Sequence, residues 1–329
     1  MKDSLPWVEL FRPNKLEDIL SHDKTKNILK NYIKTGKLPH FLFYGPSGSG
    51  KTSMIKAFAR EFYGKHYDLM VIEINASEAR GIDVVRKKIQ GFVLSTPCFF
   101  EDVSHLPKLV ILDEADSMTS EAQAMLRHVI EKNTKSARFC LICNYKTKII
   151  DAIQSRCTPM RFSPLDKINM KIKLDEISKL ENINITDDGK DMLIKVSKGD
   201  MRGLLNLFQS VTMQDKLIDK HFLSECLGYP NDKQIDILCD YLKGDILSDN
   251  IKNVKDYITS HGLSLRNILD EISIKLFKRM NGCDNNQLNQ INNVLSQLSD
   301  IEINMCNSPN IDIQISTMVS IYFIEFNNK

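Results

Sequence analysis

The stretch FLFYGPSGSGKT, residues 41–52, leaves few folds open to this chain. Phe41, Leu42, Phe43 and Tyr44 read as the end of a buried strand. Gly45, Pro46, Ser47, Gly48, Ser49, Gly50, Lys51 and Thr52 then fit G-x-x-x-x-G-K-[ST]; Ser53 and a helical run, MIKAFAREFY, follow. Strand, glycine-rich turn and helix, in that order, is the setting a phosphate-binding loop requires. Glycines let backbone N–H groups curl around an oligophosphate, and the helix aims its positive end at the same place. Lys51 is placed to reach the β and γ phosphates. The Thr52 hydroxyl suits Mg²⁺, which prefers oxygen ligands.

Residues 108–116, KLVILDEAD, are the second anchor. The apolar run Leu109–Leu112 suits a strand buried on both faces, as a parallel sheet requires. Asp113 and Glu114 fall at its carboxyl end, where open α/β sheets bind ligands. Asp113 is placed to hold Mg²⁺ directly or through water, and Glu114 to orient and polarise an attacking water. An acidic pair ending a strand is common alone; after a complete phosphate loop it is specific. The DEAD string also occurs in helicases with two tandem core domains, and this chain has room for one.

Around these anchors the chain reads as an α/β core. In residues 4–20, Pro6 and Pro13 bracket Trp7, Val8 and Phe11. Two readings stand: an arm packing its aromatics on the core, or one folding over a nucleotide base. Residues 23–34 read as an amphipathic helix, and 68–77 as a second strand. A turn at 79–83 leads into a helix with Val84, Val85, Ile89, Phe92 and Val93 inside. Arg80, Arg86, Lys87 and Lys88 give this segment a basic face, whose usual role is solvation. Phe92, Phe99 and Phe100 surround the turn STPCFF; a partner anchor and packing under the sheet are equal readings. A helix is expected at 120–132 and a strand at 138–144. Asn144 ends that strand, facing a γ-phosphate or the attacking water, or simply forming a turn. Arg156, in Ser155-Arg156-Cys157, either pairs with an internal carboxylate or is presented to a neighbouring subunit. Residues 159–162 read as a last strand.

A boundary near Ser163-Pro164 closes the core at 1–163. Residues 166–228 look wholly helical, at about 167–181, 186–197, 200–213 and 219–227. Arg202 stands in the first turn of the third, against the helix dipole. Tyr229-Pro230 marks a second boundary. Five helices follow without a titratable constellation, one of them at 287–304 with a single apolar stripe.

Composition adds exclusions. A chain of 329 residues, 42% hydrophobic, supports two or three domains. Its net charge of +2 is no nucleic-acid signature, so DNA contact requires a local patch. Eight cysteines show no disulfide framework, which fits a reducing compartment. Cys140 and Cys143 form a CxxC inside a strand-like run, where core packing is favoured over zinc or redox work. A polar N-terminus, with no signal peptide or long apolar span, reads as a soluble intracellular protein with no membrane role.

Together these motifs resemble the AAA+ ATPases, and within them the small subunits of replication factor C, the eukaryotic and archaeal sliding-clamp loader. The strings ARGIDVVR, RFC and CNY look most like the subunit drawn third in the eukaryotic spiral. LPWVELFRP resembles the family's adenine-covering motif, with Val8 and Arg12 toward the nucleotide. GPSGSGKT and LVILDEAD match its Walker A and B motifs. Asn144 falls at sensor 1 and Arg202, in GDMR, at sensor 2. Arg156, in SRC, matches the arginine acting on the next subunit's ATP. INASEARGIDVVR resembles the segment before the DNA-facing helix, which implies DNA contacts by Arg80 and Arg86. Phe92, Phe99 and Phe100 bracket the turn that faces the sliding clamp in relatives. Leu10-Phe11 departs from the usual Lys-Tyr, and His128 stands where a second Arg is usual. The resemblance implies an AAA+ core (1–163), a helical lid (164–228) and an all-α collar (229–329). It further implies ATP with Mg²⁺, a heteropentamer of loader subunits, primer–template DNA held through its backbone, and a nuclear location.

Overall fold

The computed structural model describes residues 5–77, 82–94, 106–214, 217–280, 284–307 and 310–327. The chain divides into two compact units, Met1–Ile185 with Lys190–Lys216, and Thr186–Gly189 with Leu217–Lys329.

The first unit is built on a parallel sheet. Its strands are β1 (Phe41–Tyr44), β2 (Val71–Asn75), β3 (Lys108–Asp113), β4 (Ala137–Cys143) and β5 (Thr158–Arg161), in the order β2-β3-β4-β1-β5. All four pairings are parallel, with Phe41 opposite both Cys140 and Thr158. The period-two alternation of strands splits the apolar residues between two cores. Phe41, Phe43, Leu109, Ile111, Cys140 and Ile142 face one. Leu42, Val110, Leu112, Phe139, Leu141 and Cys143 face the other. Burying each such side chain contributes about 1.5–3 kcal/mol. That holds even the four-residue β1 rigid beneath the loop that follows it.

Helices cover both faces, as a parallel sheet demands. They are α1 (Trp7–Leu10), α2 (Asp23–Thr35), α3 (Lys51–Tyr63), α4 (Tyr67–Met70), α5 (Ile82–Leu94), α6 (Ser120–Asn133) and α7 (Asp151–Gln154). Leu29, Met54, Phe58 and Met70 place α2, α3 and α4 on the first core. Ile89, Leu126, Val129 and Ile153 place α5, α6 and α7 on the second. Two local readings change. Residues 68–70, expected in the second strand, belong to α4, and the arm contains a helical turn, α1. The CxxC cysteines point to opposite faces of the sheet. Both are buried, and burial pushes the Cys143 thiol up to about 12 and that of Cys140 well above its ordinary value.

Three further helices follow the sheet, α8 (Lys167–Leu180), α9 (Asp187–Ser197) and α10 (Met201–Thr212). The second unit carries α11 (Lys220–Cys226), α12 (Asp232–Leu242), α13 (Leu247–Ser260), α14 (Leu265–Met280), α15 (Asn285–Asn307) and α16 (Ile311–Asn327). α12 to α16 close around one core that includes Leu238, Val254, Ile268, Val294, Leu298 and Met318. The apolar stripe expected at 287–304 is the buried face of α15. No helix among the described residues is long and apolar enough to cross a membrane.

Candidate nucleotide site

Because β3, β4 and β1 are neighbours, the loops leaving their carboxyl ends bring Asp113, Asn144 and Lys51 together. The loop after β1 needs its glycines. Gly45 and Gly48 have φ of +150° and +62°. A Cβ at Gly45 would stand 2.1 Å from the Phe162 carbonyl oxygen, and one at Gly48 1.6 Å from Asp200 Oδ1. Lys51, the first residue of α3, is 7% exposed. Its Nζ donates to the carbonyl oxygens of Gly45 and Pro46, each at 2.7 Å, and to Asn144 Oδ1 at 3.0 Å. None of these acceptors carries a charge. Burial lowers the Lys51 pKa and nearby Arg202 adds to that, while Asp113 opposes it. The ammonium is thus a desolvated cation held by neutral oxygens, which favours exchange for an anion.

Thr52 Oγ1 donates to Asp113 Oδ2 at 2.8 Å. Hydroxyl and carboxylate oxygens meet there as the donor set that Mg²⁺ prefers. Asp113 Oδ1 accepts the Glu114 N–H at 2.9 Å. Glu114 itself has left-handed backbone, φ +53°, rare for a residue with a side chain and frequent at functional sites. Its carbonyl accepts from Ser117 Oγ at 2.7 Å, which holds the turn.

A cleft of about 210 Å³ joins these groups. Ser47, Gly48, Ser49, Gly50, Lys51, Thr52 and Ser53 form its floor, with Asp113, Glu114 and Asn144 at the strand ends. Val8, Phe11, Arg12 and Pro13 line it from the arm, and Met201, Arg202 and Leu205 from α10. The arm packs its tryptophan on α10 and lends other residues to the cleft wall. Trp7 turns away from the cleft, its ring 5.4 Å edge-on to Phe208, and its backbone N–H donates to Gln209 Oε1 at 3.0 Å. Val8 and Arg12 remain on the cleft wall. Gly45 and Pro46 lie beneath the loop as the Lys51 acceptors.

Four supporting residues escaped sequence reading. Asp116 Oδ2 accepts the N–H groups of Asn144 and Tyr145 at 3.1 and 3.2 Å, fixing the end of β4. Its signal was present in the DEAD string. Asp200 caps α10 by accepting the Gly203 N–H at 3.0 Å, and also accepts from Ser47 Oγ at 3.3 Å. The Met201 N–H adds a bond to the Gly48 carbonyl at 3.3 Å, so the start of α10 is fastened to the phosphate loop. An Asp just before a helical run is a recognisable cap signal. Ser49's carbonyl lies 3.1 Å from His22 Nε2, a contact no local pattern announces. Burial lowers the His22 pKa. Glu131 is the fourth.

Arg156 is not in the cleft. Its Nη2 lies 2.6 Å from Glu131 Oε1, and Nη1 donates to the Ala152 carbonyl at 2.6 Å. Both α6 and α7 pack on the sheet face opposite α3. Phe92 is half-buried against the second core, under the Lys108 ammonium at 4.6 Å. Arg80, Phe99 and Phe100, and the side chain of Arg86, lie outside the described residues.

Comparison with known proteins places this geometry. The family model described as ATPase family associated with various cellular activities (AAA) matches residues 41–165. The chain is similar to RuvB, the Holliday junction branch migration motor of Thermotoga maritima, with a TM-score of 0.53 at 17% identity over 77% of this chain and 86% of that one. At that identity the likeness concerns fold alone. It is 42% identical to the probable replication factor C subunit 5 of Dictyostelium discoideum, over 97% of this chain and 91% of the relative. It is 39% identical to replication factor C subunit 5 of Homo sapiens, over 97% and 92%. With subunit 3 of Schizosaccharomyces pombe the identity is 39%, over 97% and 91%. With relatives matched over 97% of this chain and at least 91% of their own length at this identity, the chain belongs to the replication factor C small subunits, ATPase components of the clamp loader for DNA replication.

Proposed function

We propose that this chain binds ATP with Mg²⁺ in the cleft and hydrolyses it as one subunit of a heteropentamer that opens the sliding clamp and seats it at primer–template junctions in the nucleus. The observation that carries this is the convergence of Lys51, Thr52, Asp113, Glu114 and Asn144 on one cleft. Lys51 exchanges its carbonyl partners for phosphate oxygens. Thr52 and Asp113 hold Mg²⁺, which when bound neutralises charge on the phosphates. Glu114 polarises the attacking water, and Asn144, its backbone pinned by Asp116, orients it. Arg202 meets the phosphates from α10, while Val8 and Arg12 border the base.

The reading extends to partners. Residues 1–163, 164–228 and 229–329 serve as ATPase core, lid and collar. Ile303 on α15 and Ile311, Ile313 and Ile324 on α16 are each more than half exposed, apolar side chains available for packing against sister subunits. Arg156 acts on the ATP of the adjoining subunit. Arg80 and Arg86 grip the DNA backbone. Phe92, Phe99 and Phe100 meet the clamp.

The experiment is Glu114→Gln in the complex assembled with native partners. ATP binding should persist, while hydrolysis at this site falls by about 10² or more, the contribution of a positioned base. Wild-type turnover in phosphate release would remove Glu114 from the role.

A further inference from the structure

Away from the cleft, one carboxylate gathers two arginines and a histidine. Glu131 Oε1 lies 2.9 Å from Arg127 Nε and 2.6 Å from Arg156 Nη2, and Oε2 lies 3.6 Å from His128 Nδ1. Glu131 stands in the last turn of α6, where the helix dipole opposes a negative charge. The hydrogen bond from Arg127, aided by the charges of Arg127 and Arg156, nonetheless holds its carboxyl below the usual range. None of these four side chains lines the ATP cleft.

The energetics decide what such a cluster can do. The Arg156 side chain is 37% exposed and that of Glu131 34%. A pair this open to water is weak. It cannot withhold Arg156 from a nucleotide carrying several negative charges. It can restrict a long side chain that otherwise loses its rotamer freedom only on meeting its partner. The Ala152 carbonyl and Glu131 tether Arg156 Nη1 and Nη2 respectively, so the guanidinium is fixed from two sides.

We infer that Glu131 is a positioning residue for Arg156, pre-setting its guanidinium to meet the terminal phosphate of a nucleoside triphosphate on an adjoining subunit. The inference rests on the trans role proposed above for Arg156. It adds a residue that never touches nucleotide yet governs how fast the neighbouring site turns over, by lowering the ordering cost of the arginine.

The test uses the complex assembled with native partners and stimulated by clamp and primer–template DNA. Glu131→Ala should lower kcat for phosphate release about two- to fivefold, the equivalent of a surface pair, with KM for ATP unchanged. Glu131→Gln keeps an oxygen acceptor at the same reach and should recover most of the rate. Glu131→Lys repels the guanidinium and should approach the rate of Arg156→Ala. In an Arg156→Ala background all three changes should have no further effect, because they act through one side chain. Should Glu131→Ala fail to assemble, Glu131→Lys, which is expected to be slow, carries the same cycle. A wild-type rate for Glu131→Ala, or a further loss on top of Arg156→Ala, overturns the positioning role while leaving Arg156 in place. A wild-type rate for Arg156→Ala overturns both.

Discussion

Lys51 and Arg156 are the two cations for which a phosphate partner is proposed, and the fold holds them in opposite ways. Lys51 is 7% exposed and bonded to three neutral oxygens, inside a loop whose shape is fixed by glycines and by Asp200. The Arg156 side chain is 37% exposed and shares one carboxylate with Arg127. The first is preorganised by burial, so its site is complete within one chain. The second is held by a surface pair and one backbone carbonyl, and the role proposed for it needs another subunit. Changes in the cleft should therefore disturb the isolated chain, whereas changes at the edge should register only in the assembly.

Lys51→Ala should give the largest effect. A charged hydrogen bond contributes about 1.5–3 kcal/mol, so ATP affinity of the isolated chain should fall roughly 10- to 100-fold. Titration with a fluorescent nucleotide reads this directly. Lys51→Arg should not rescue it, since the larger guanidinium has no room in so enclosed a position. Affinity within twofold of wild type would show that burial of Lys51 serves the fold rather than the ligand.

Gly48→Ala follows. Left-handed backbone costs a residue with a Cβ about 1–2 kcal/mol, and the new atom also meets the Asp200 carboxylate. Urea denaturation should show a loss of about 2 kcal/mol or more. In an Asp200→Ala background the loss should shrink toward the backbone cost alone. An equal loss in both backgrounds would mean that the Ser47–Asp200 clasp is not part of what fixes the loop.

The contrast also explains what could be read before the structure. Lys51, Thr52, Asp113 and Glu114 were legible because each sits in a contiguous string whose geometry is set by its own strand. The buried runs Phe41–Tyr44 and Leu109–Leu112 announced the sheet for the same reason. Asp200 on Gly48, His22 on Ser49 and Trp7 on Gln209 were not legible. Each joins residues far apart in sequence, and nothing local distinguishes such a pair from solvated side chains. Glu131 was hidden differently: a surface carboxylate on a helix is ordinary until Arg156 is placed beside it by the return of the chain through α7. Residues 68–70 misled because an apolar Leu-Met ahead of β2 continues the strand pattern although the backbone there is still helical.

Acid should separate core from edge in the same sense. His40 is 8% exposed; its Nδ1 accepts the Phe139 N–H at 3.1 Å, and its Nε2 has no hydrogen-bond partner among the described residues. Burial pushes its pKa down to about 4 from the ordinary 6.5. The folded state therefore keeps His40 neutral where the unfolded chain takes a proton. Its contribution to stability is full above pH 6.5 and is lost progressively as pH falls toward 4. Urea midpoints of the isolated chain should decline over that interval, and His40→Gln should flatten the decline. An unchanged slope would show that the ring is hydrated.

The smallest effect belongs to Arg156→Ala in the isolated chain, and its smallness is the point. If Arg156 were structural, removing it would leave Glu131 short of a partner at the end of α6 and free the Ala152 carbonyl. Both groups face water, however, and Arg127 remains at 2.9 Å from the same Glu131 oxygen. An exposed pair of this kind contributes little to stability. The urea midpoint should therefore barely move, and ATP affinity should not move, since Arg156 is absent from the cleft wall. In the assembled complex the same substitution should slow phosphate release at the neighbouring site. A transition-state arginine supplies about 10³–10⁵ in rate in GTPases, far beyond anything the isolated chain should register. A stability loss of several kcal/mol in the isolated chain, with no effect in the complex, would make Arg156 a strut of the α6–α7 corner. The two ends of the comparison would then be built alike.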